Sequence, residues 1–268
     1  MIEWYSEELR ITAFLCKEQN IEIRKWWTSF VKNLPIVEAI LRNQNIYQLE
    51  GLYGNKKLIL RATLSLDRID WLLVNADELI LDSKKNIKSI EEIPEKLSLE
   101  YEKTHFPRMP KFNEEQIALI DLIKKWTNLD TFPSCYRLAL GANLFFPVKT
   151  RQEGYIILAQ LLPNVKIDIE NSENFLYQIN RPKPSNTCRS LKINKISRWI
   201  VATHSAVAIN VENNMITQNA ENPIFSCSLN LDISTSQENR DEISKEYIPS
   251  IYEEMLGIAK EVALEGDK

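Results

Sequence analysis

The segment YQLEGLYGNKKLILRATLSLDRIDWLLV, residues 47–74, decides the fold. It contains three runs in which apolar and polar residues alternate, a pattern typical of half-buried strands. Gly54, Asn55 and the region of Asp67 provide turn residues between the runs. Short turns of this kind join neighbouring antiparallel strands. The segment therefore predicts an antiparallel meander.

A strand and a helix are predicted before the meander. Residues 7–16 alternate and then become apolar, which indicates a strand. Asn20 can cap a helix over 21–34, because apolar residues recur there at helical spacing. This stripe consists of Ile23, Trp26, Trp27, Phe30 and Leu34.

The second half of the chain repeats this order in outline. A helix over 114–127, capped by Asn113, precedes a strand at 135–148. Thr150 and Glu153 have the spacing of a capping box and open a helix through Leu162. Further strands are predicted at 165–169, 174–180, 198–211 and 224–233, followed by an amphipathic helix near 246–264.

These elements predict an α+β protein. It has antiparallel sheets with packed helices, two similar β-α-β-β halves and a C-terminal amphipathic helix. Residues 76–111 are charged, contain prolines and lack sustained periodicity, so we interpret them as a linker. The predicted halves are residues 1–75 and 112–268. Their similarity fits either a duplication or the ordinary grammar of α+β proteins.

Composition excludes several common chemistries. The six glycines form no GxG and none precedes a lysine, so neither phosphate-cradling motif is present. The two histidines and four scattered cysteines do not have the spacing of a zinc site or a hydrolytic triad. We predict no cofactor and no metal. Free thiols, no signal peptide and no run of membrane length predict a cytoplasmic protein without a membrane partner.

One enzymatic alternative rests on three residues. Asp70 is followed twelve residues later by Asp82, and Lys84 comes two positions after that. Metal-dependent nucleases use an upstream aspartate and an Asp-x-Lys at a strand end, where the carboxylates hold Mg²⁺ and the lysine steadies the attacking hydroxide. A strand that ends in a charged turn gives the same pattern.

A basic stretch provides the main binding hypothesis. Residues 174–211 contain no acid, whereas the chain as a whole has a net charge of −4. The predicted contact residues are Arg181, Lys183, Arg189, Lys192, Lys195, Arg198 and Trp199. A finger of this composition fits phosphates with an aromatic ring for stacking, or an acidic partner protein. It also fits a solvated hairpin balanced by the acidic C-terminal helix of the same molecule.

Three segments resemble landmarks of a sporadically distributed bacterial protein family of unknown function. They are LPIVEAI at 34–40, YRLALGANLFFPV at 136–148 and LNLDI at 229–233. The chain departs from the family by placing the first segment after a strand and a helix. The resemblance implies an α+β fold and a bacterial origin, and it implies no activity.

Together these observations favour a non-catalytic bacterial cytoplasmic subunit. It is predicted to bind a partner protein or a second copy of itself, with nucleic acid as a further partner class, through residues 181–198. A role accessory to a defence-related complex follows by analogy only. The alternative is the Mg²⁺-dependent nuclease that uses Asp70, Asp82 and Lys84.

Overall fold

The computed structural model describes residues 2–16, 19, 21–31, 33–41, 45–75, 109–204, 207–212, 215–220 and 224–268. The helices within these ranges are α1 (Ile23–Phe30), α2 (Phe112–Thr127), α3 (Arg151–Leu161) and α4 (Ile248–Glu265). The strands are β1 (Tyr5–Leu15), β2 (Val37–Leu41), β3 (Ile46–Tyr53), β4 (Lys56–Thr63), β5 (Arg68–Asn75), β6 (Cys135–Val148), β7 (Leu176–Asn180), β8 (Lys183–Pro184), β9 (Lys192–His204), β10 (Val207–Glu212), β11 (Met215–Ala220) and β12 (Ile224–Thr235).

Ten of these strands form one antiparallel sheet. Its order is β2-β3-β4-β5-β1-β6-β12-β9-β7, with β8 paired to β9, while β10 and β11 form a separate hairpin. From the central pair β1–β6 outward, one half runs β1-β5-β4-β3 and the other β6-β12-β9-β7. The α+β class is confirmed. Because β1 and β6 pair antiparallel, equivalent elements of the two halves face the same side of the sheet.

The four helices cover one face of the sheet, where the core lies. Alternate side chains of a strand point to opposite faces, and in β1 the buried set is Leu9, Ile11, Ala13 and Leu15. A tryptophan cluster packs α1 and α2 on this face: Trp71 of β5 lies 6.2 Å from Trp27 and 6.0 Å from Trp126, measured between ring centroids. All three rings are fully buried.

Gly51 of β3 makes room for this cluster. A Cβ at Gly51 would lie 2.7 Å from Cζ2 of Trp27, which is closer than two carbon atoms approach. In the second half, Gly154 of α3 does the same against Val201 of β9, at 2.9 Å. A glycine therefore sets the close approach of a helix and the sheet in each half.

The meander at 47–74 is confirmed as β3, β4 and β5, with positive φ at Gly54 and Asp67 in the turns. The strand at 135–148 and the capping box are confirmed, since Thr150 Oγ1 accepts a hydrogen bond from the Glu153 N–H at 3.1 Å. The C-terminal helix is confirmed as α4.

Four local predictions are wrong. Leu34 does not lie on a buried helical stripe, because α1 ends at Phe30 and Leu34 is 80% exposed. Asn113 is not a cap, because α2 begins at Phe112, two residues before the predicted start, and Lys111 is its N-cap residue. Residues 165–169 form no strand. The predicted strand at 198–211 is two strands, β9 and β10, and strands β2, β8 and β11 were not predicted.

Two predictions fall on residues that the structure does not describe. Asn20 and most of the linker, residues 76–108, lie outside the described ranges. The division into 1–75, 76–111 and 112–268 therefore stays a prediction. The described parts of both halves share one sheet and one apolar core.

Candidate functional site

The sheet face opposite the helices, called the open face below, is rich in charge. Strand register places seven cationic side chains and four carboxylates of the described residues on it. The cations are Arg10, Lys57, Arg61, Arg68, Arg137, Lys192 and Arg198, and the carboxylates are Glu8, Glu50, Asp70 and Asp232. This face is thus net positive in a chain whose net charge is −4.

Asp70 is the most enclosed of these carboxylates. It is 3% exposed, and its Oδ1 accepts hydrogen bonds from Thr12 Oγ1 at 2.6 Å and from Arg68 Nε and Nη2 at 2.9 and 2.8 Å. Arg10 Nε lies 3.9 Å from the same oxygen. One carboxylate thus fixes β1 against β5 and orients Arg68 along the open face.

Gly141 leaves room for the Arg10 side chain near the middle of the open face. The Arg10 guanidinium lies over it, 3.0 Å from where a Cβ would stand, and Asp232 is its register partner on the other side. Within the described residues, Arg10 Nε and Asp232 Oδ1 are buried atoms without a hydrogen-bond partner.

Burial shifts the pKa values of two groups on the open face. Burial raises the pKa of Glu8, and the positive charges of Arg10 and Arg61 only partly oppose that effect. Burial lowers the pKa of Arg137, and Asp232 partly opposes it. Both shifts follow from desolvation, which penalises the charged form of each group. Glu8 and Arg137 are therefore both partly shielded from water.

Aromatic rings flank the charged centre. The guanidinium carbons of Arg137 and Arg68 lie 4.5 and 5.7 Å from the ring centroid of Phe14, within the range of a cation–π contact. Tyr5 and Phe145 stack at 5.7 Å between centroids. Guanidinium planes held against rings keep the fixed, planar donor geometry that suits phosphates and base edges.

The predicted basic finger is not a projecting arm. Residues 181–198 form β8, a turn and the first half of β9 at one end of the sheet. Arg181 forms a bidentate pair with the buried Asp267, at 2.6 and 2.9 Å. The Arg181 hydrogen bond lowers the pKa of Asp267, and burial opposes that effect.

The turn of this stretch is also tied to the protein itself. Glu254 of α4 accepts hydrogen bonds from Ser185 Oγ and from the Asn186 and Thr187 N–H groups, at 2.7 to 3.1 Å. Burial raises the pKa of Glu254, but these hydrogen bonds outweigh it and the pKa is lowered. This part of the basic stretch is therefore bound by the acidic C-terminal helix of the same molecule, which was the third of the alternatives given for it.

The other predicted contact residues divide between surfaces. Lys192 and Arg198 are exposed on the open face, whereas Lys195 lies on the helix side, where its charge helps to lower the pKa of Asp267. Lys183 is half-buried in β8 and Arg189 is exposed in the turn. The seven residues therefore do not form one surface.

The prediction for Trp199 is wrong. Its side chain is fully buried and packs edge-on against Trp4, with 6.1 Å between centroids. It belongs to the helix-facing set of β9, so that it cannot stack on a nucleotide base. The alternation pattern predicted correctly that Trp199 lies in a strand, but it did not predict that the side chain faces the helices.

Of the three residues in the nuclease alternative, the structure describes only Asp70. Asp82 and Lys84 lie outside the described residues, so the predicted triad stays a prediction. Within the described ranges, His, Cys, Asp and Glu side chains form no group of three that could hold a metal ion. Among the described helices, none is both long and apolar enough to cross a membrane.

No protein-family model, curated protein or solved structure matches this chain. The resemblance to the sporadically distributed bacterial family therefore stays a prediction. Its three landmarks contribute to β2, β6 and β12. The last two are paired at the centre of the sheet and contribute Asn143 and Asp232 to the open face.

Sequence reasoning missed most of the open face. The signal was present as alternation: Glu8, Arg10 and Thr12 are interleaved with apolar residues in β1, as Asn230 and Asp232 are in β12. Such alternation places the polar residues of one strand on one face. Alternation does not show which strands lie side by side. The charged residues form one surface only because the strands follow the order observed in the sheet.

Proposed function

We propose that this protein is a binding subunit that takes a nucleic-acid strand on the open face of its sheet. The observation that carries the proposal is the cationic excess of that face in an acidic chain. Segregated charge of this sign supports binding to a polyanion, because phosphate neutralisation supplies most of the affinity for nucleic acid.

The positions of the cations support an extended ligand. They occur from β4 to β9, which are separated by five strand spacings in the sheet order, or about 24 Å. A single strand that crosses the sheet over this distance would bring several phosphates close to arginines. Proteins that bind single strands commonly contact about 4–16 nucleotides for each domain.

The polar residues between the cations support the same ligand class. Asn143 and Asn230 face each other across β6 and β12, with 2.9 Å between Nδ2 and Oδ1. Gln178 and Asn180 of β7 are exposed on the same side. Arginine, asparagine and glutamine are the side chains that pair most often with base edges and phosphates.

The proposal is tested by binding of fluorescently labelled oligonucleotides, single-stranded and duplex, at salt concentrations from 50 to 300 mM. The test variant replaces Arg61, Arg137 and Arg198 with glutamine. These arginines lie on three different strands of the open face. Each lost phosphate contact reduces the slope of log K against log salt by about 0.7–0.9. We therefore expect the slope to fall by about 2 and the affinity to fall by at least tenfold.

A matched control removes three cations from the helices. Lys124, Arg151 and Lys260 lie in α2, α3 and α4, and their replacement with glutamine changes the net charge by the same amount. This control should bind like the wild type. Equal loss in both triple variants, or binding to an acidic protein without binding to any oligonucleotide, would contradict the proposal.

A further inference from the structure

The edge strand β2 is the most apolar exposed part of the described chain. All its residues except Ala39 are exposed, and Ala39 is half-buried. Within the described residues β2 pairs with β3 alone, so its other backbone edge has no strand beside it. The exposed apolar side chains along it are Leu34 at 80%, Ile36 at 61%, Val37 at 43%, Ile40 at 55% and Leu41 at 47%.

An edge of this kind pairs readily with another strand. Proteins usually protect edge strands with lysines, prolines or bulges, and β2 itself has none of these. Its one charged side chain, Glu38, accepts hydrogen bonds from Arg24 and from Tyr47 Oη of its own chain at 2.6 to 2.8 Å. The carboxylate is therefore satisfied before any partner arrives.

We propose that β2 pairs antiparallel with β2 of a second copy, on a two-fold axis that passes between the two Ala39 residues. This register uses all five residues. Val37 faces Leu41 of the second copy, Glu38 faces Ile40, and no two like charges stand opposite each other. Centring the pair on Glu38 would bring two carboxylates together, which destabilises a cross-strand pair.

The size of the surface fits this occupant. The exposed parts of these apolar side chains amount to on the order of 1,000 Å² over the two copies, which is the area available to a small two-fold interface. The pairing uses the same edge of both copies, so that the assembly closes as a dimer. The edge at β7 differs, because its exposed residues include Gln178 and Asn180. Self-association at β2 is independent of nucleic-acid binding and goes beyond that proposal.

The test begins with the mass of the protein in solution. Analytical ultracentrifugation at tens of micromolar should give twice the 31.2 kDa mass of one chain. In the double variant Ala39→Lys/Leu41→Lys, lysines meet on the axis and each copy loses the Leu41 side chain that faces Val37 of the other copy. The dissociation constant of the dimer should rise by about 100-fold or more. Leu176→Lys, at the opposite edge and 52% exposed, should remain dimeric.

Cross-linking tests the register itself. Directly opposed residues of antiparallel strands have Cα atoms about 4.5–5.5 Å apart, which a disulfide can span. Ala39→Cys should therefore form a covalent dimer under mild oxidation, and Leu176→Cys and the wild type should not. This result does not depend on whether the lysine variant folds.

Three outcomes would overturn the inference. The first is a wild-type protein that stays monomeric at 200 µM. This outcome includes the case in which β2 pairs with a different protein and not with a second copy of this chain. The second is a dimer that survives the lysine substitutions in folded protein. The third is a dimer in which Ala39→Cys does not cross-link, because the interface would then lie elsewhere.

Discussion

Replacing Asp70 with asparagine tests whether one carboxylate holds the centre of the open face together. Its Oδ1 accepts three hydrogen bonds, one from Thr12 and two from Arg68, at 2.6 to 2.9 Å. Asparagine has nearly the same size and keeps an acceptor oxygen, but it carries no charge. The substitution therefore weakens these bonds without creating a cavity.

The magnitude follows from the number of bonds. A hydrogen bond to a charged group contributes about 1.5–3 kcal/mol and a neutral one about 0.5–1.5 kcal/mol, so each bond weakens by about 1 kcal/mol. The Arg68 side chain is 26% exposed, and solvent screens part of its contribution. We expect the free energy of unfolding to fall by about 2 kcal/mol, which lowers Tm by about 4–8 °C in a chain of this length.

The assay is thermal and urea unfolding at neutral pH, followed by circular dichroism. Glu253→Gln is the control, because Glu253 is exposed and 3.7 Å from Lys124, and we expect no measurable change in Tm. The same Asp70 variant makes the open face more positive and should bind oligonucleotides more tightly. A Tm within 1 °C of the wild type, or an equal decrease in the control, would refute the reasoning.

Three further outcomes are expected. Gly51→Ala should lower Tm by several degrees, since its Cβ would lie 2.7 Å from Trp27; an unchanged melt would contradict that packing. The hydrogen bond from Arg181 lowers the pKa of Asp267 in the folded protein. The stabilisation from this ion pair is therefore present above the pKa that Asp267 has in the unfolded chain, and it is lost as the pH falls through the lower pKa that Asp267 has in the folded protein. Asp267→Asn should therefore flatten the decrease in stability between about pH 5 and pH 3, and an unaltered acid limb would count against the pair. Burial raises the pKa of Cys227 to about 12 and also raises that of Cys135. A thiol reagent at pH 8 should therefore label at most two of the four cysteines before denaturation. Rapid labelling of all four would contradict the burial of Cys135 and Cys227.

The parts of the fold predicted correctly are those specified by local chemistry. The meander at 47–74 combines period-two alternation with residues that adopt positive φ in its turns, Gly54 and Asp67. The helix that begins after Thr150 is likewise set by one local hydrogen bond. Such signals involve only a few neighbouring residues, so they do not depend on how the rest of the chain folds.

The errors arose where distant parts of the chain decide the outcome. β2 is apolar on both faces and exposed, so it lacks the alternation by which a half-buried strand is recognised. Trp199 is buried because its side of β9 is the one that the helices and the distant Trp4 cover. The partner of Arg181 is 86 residues away, at Asp267. Charge counted along the sequence could not show that this arginine is already neutralised.

The central position of β1 has a consequence for how the chain is made. β1 is paired on one side with β5 and on the other with β6, whose residues begin at Cys135. Its neighbour Trp4 donates a hydrogen bond to the carbonyl of Ala263, 259 residues later. Until β6 has been translated, β1 lacks its second neighbour, and the nascent chain exposes an unpaired strand edge. Such long sequence separation makes folding slow, so that a chaperone bound to the emerging first half would shield the site at which the second half must join.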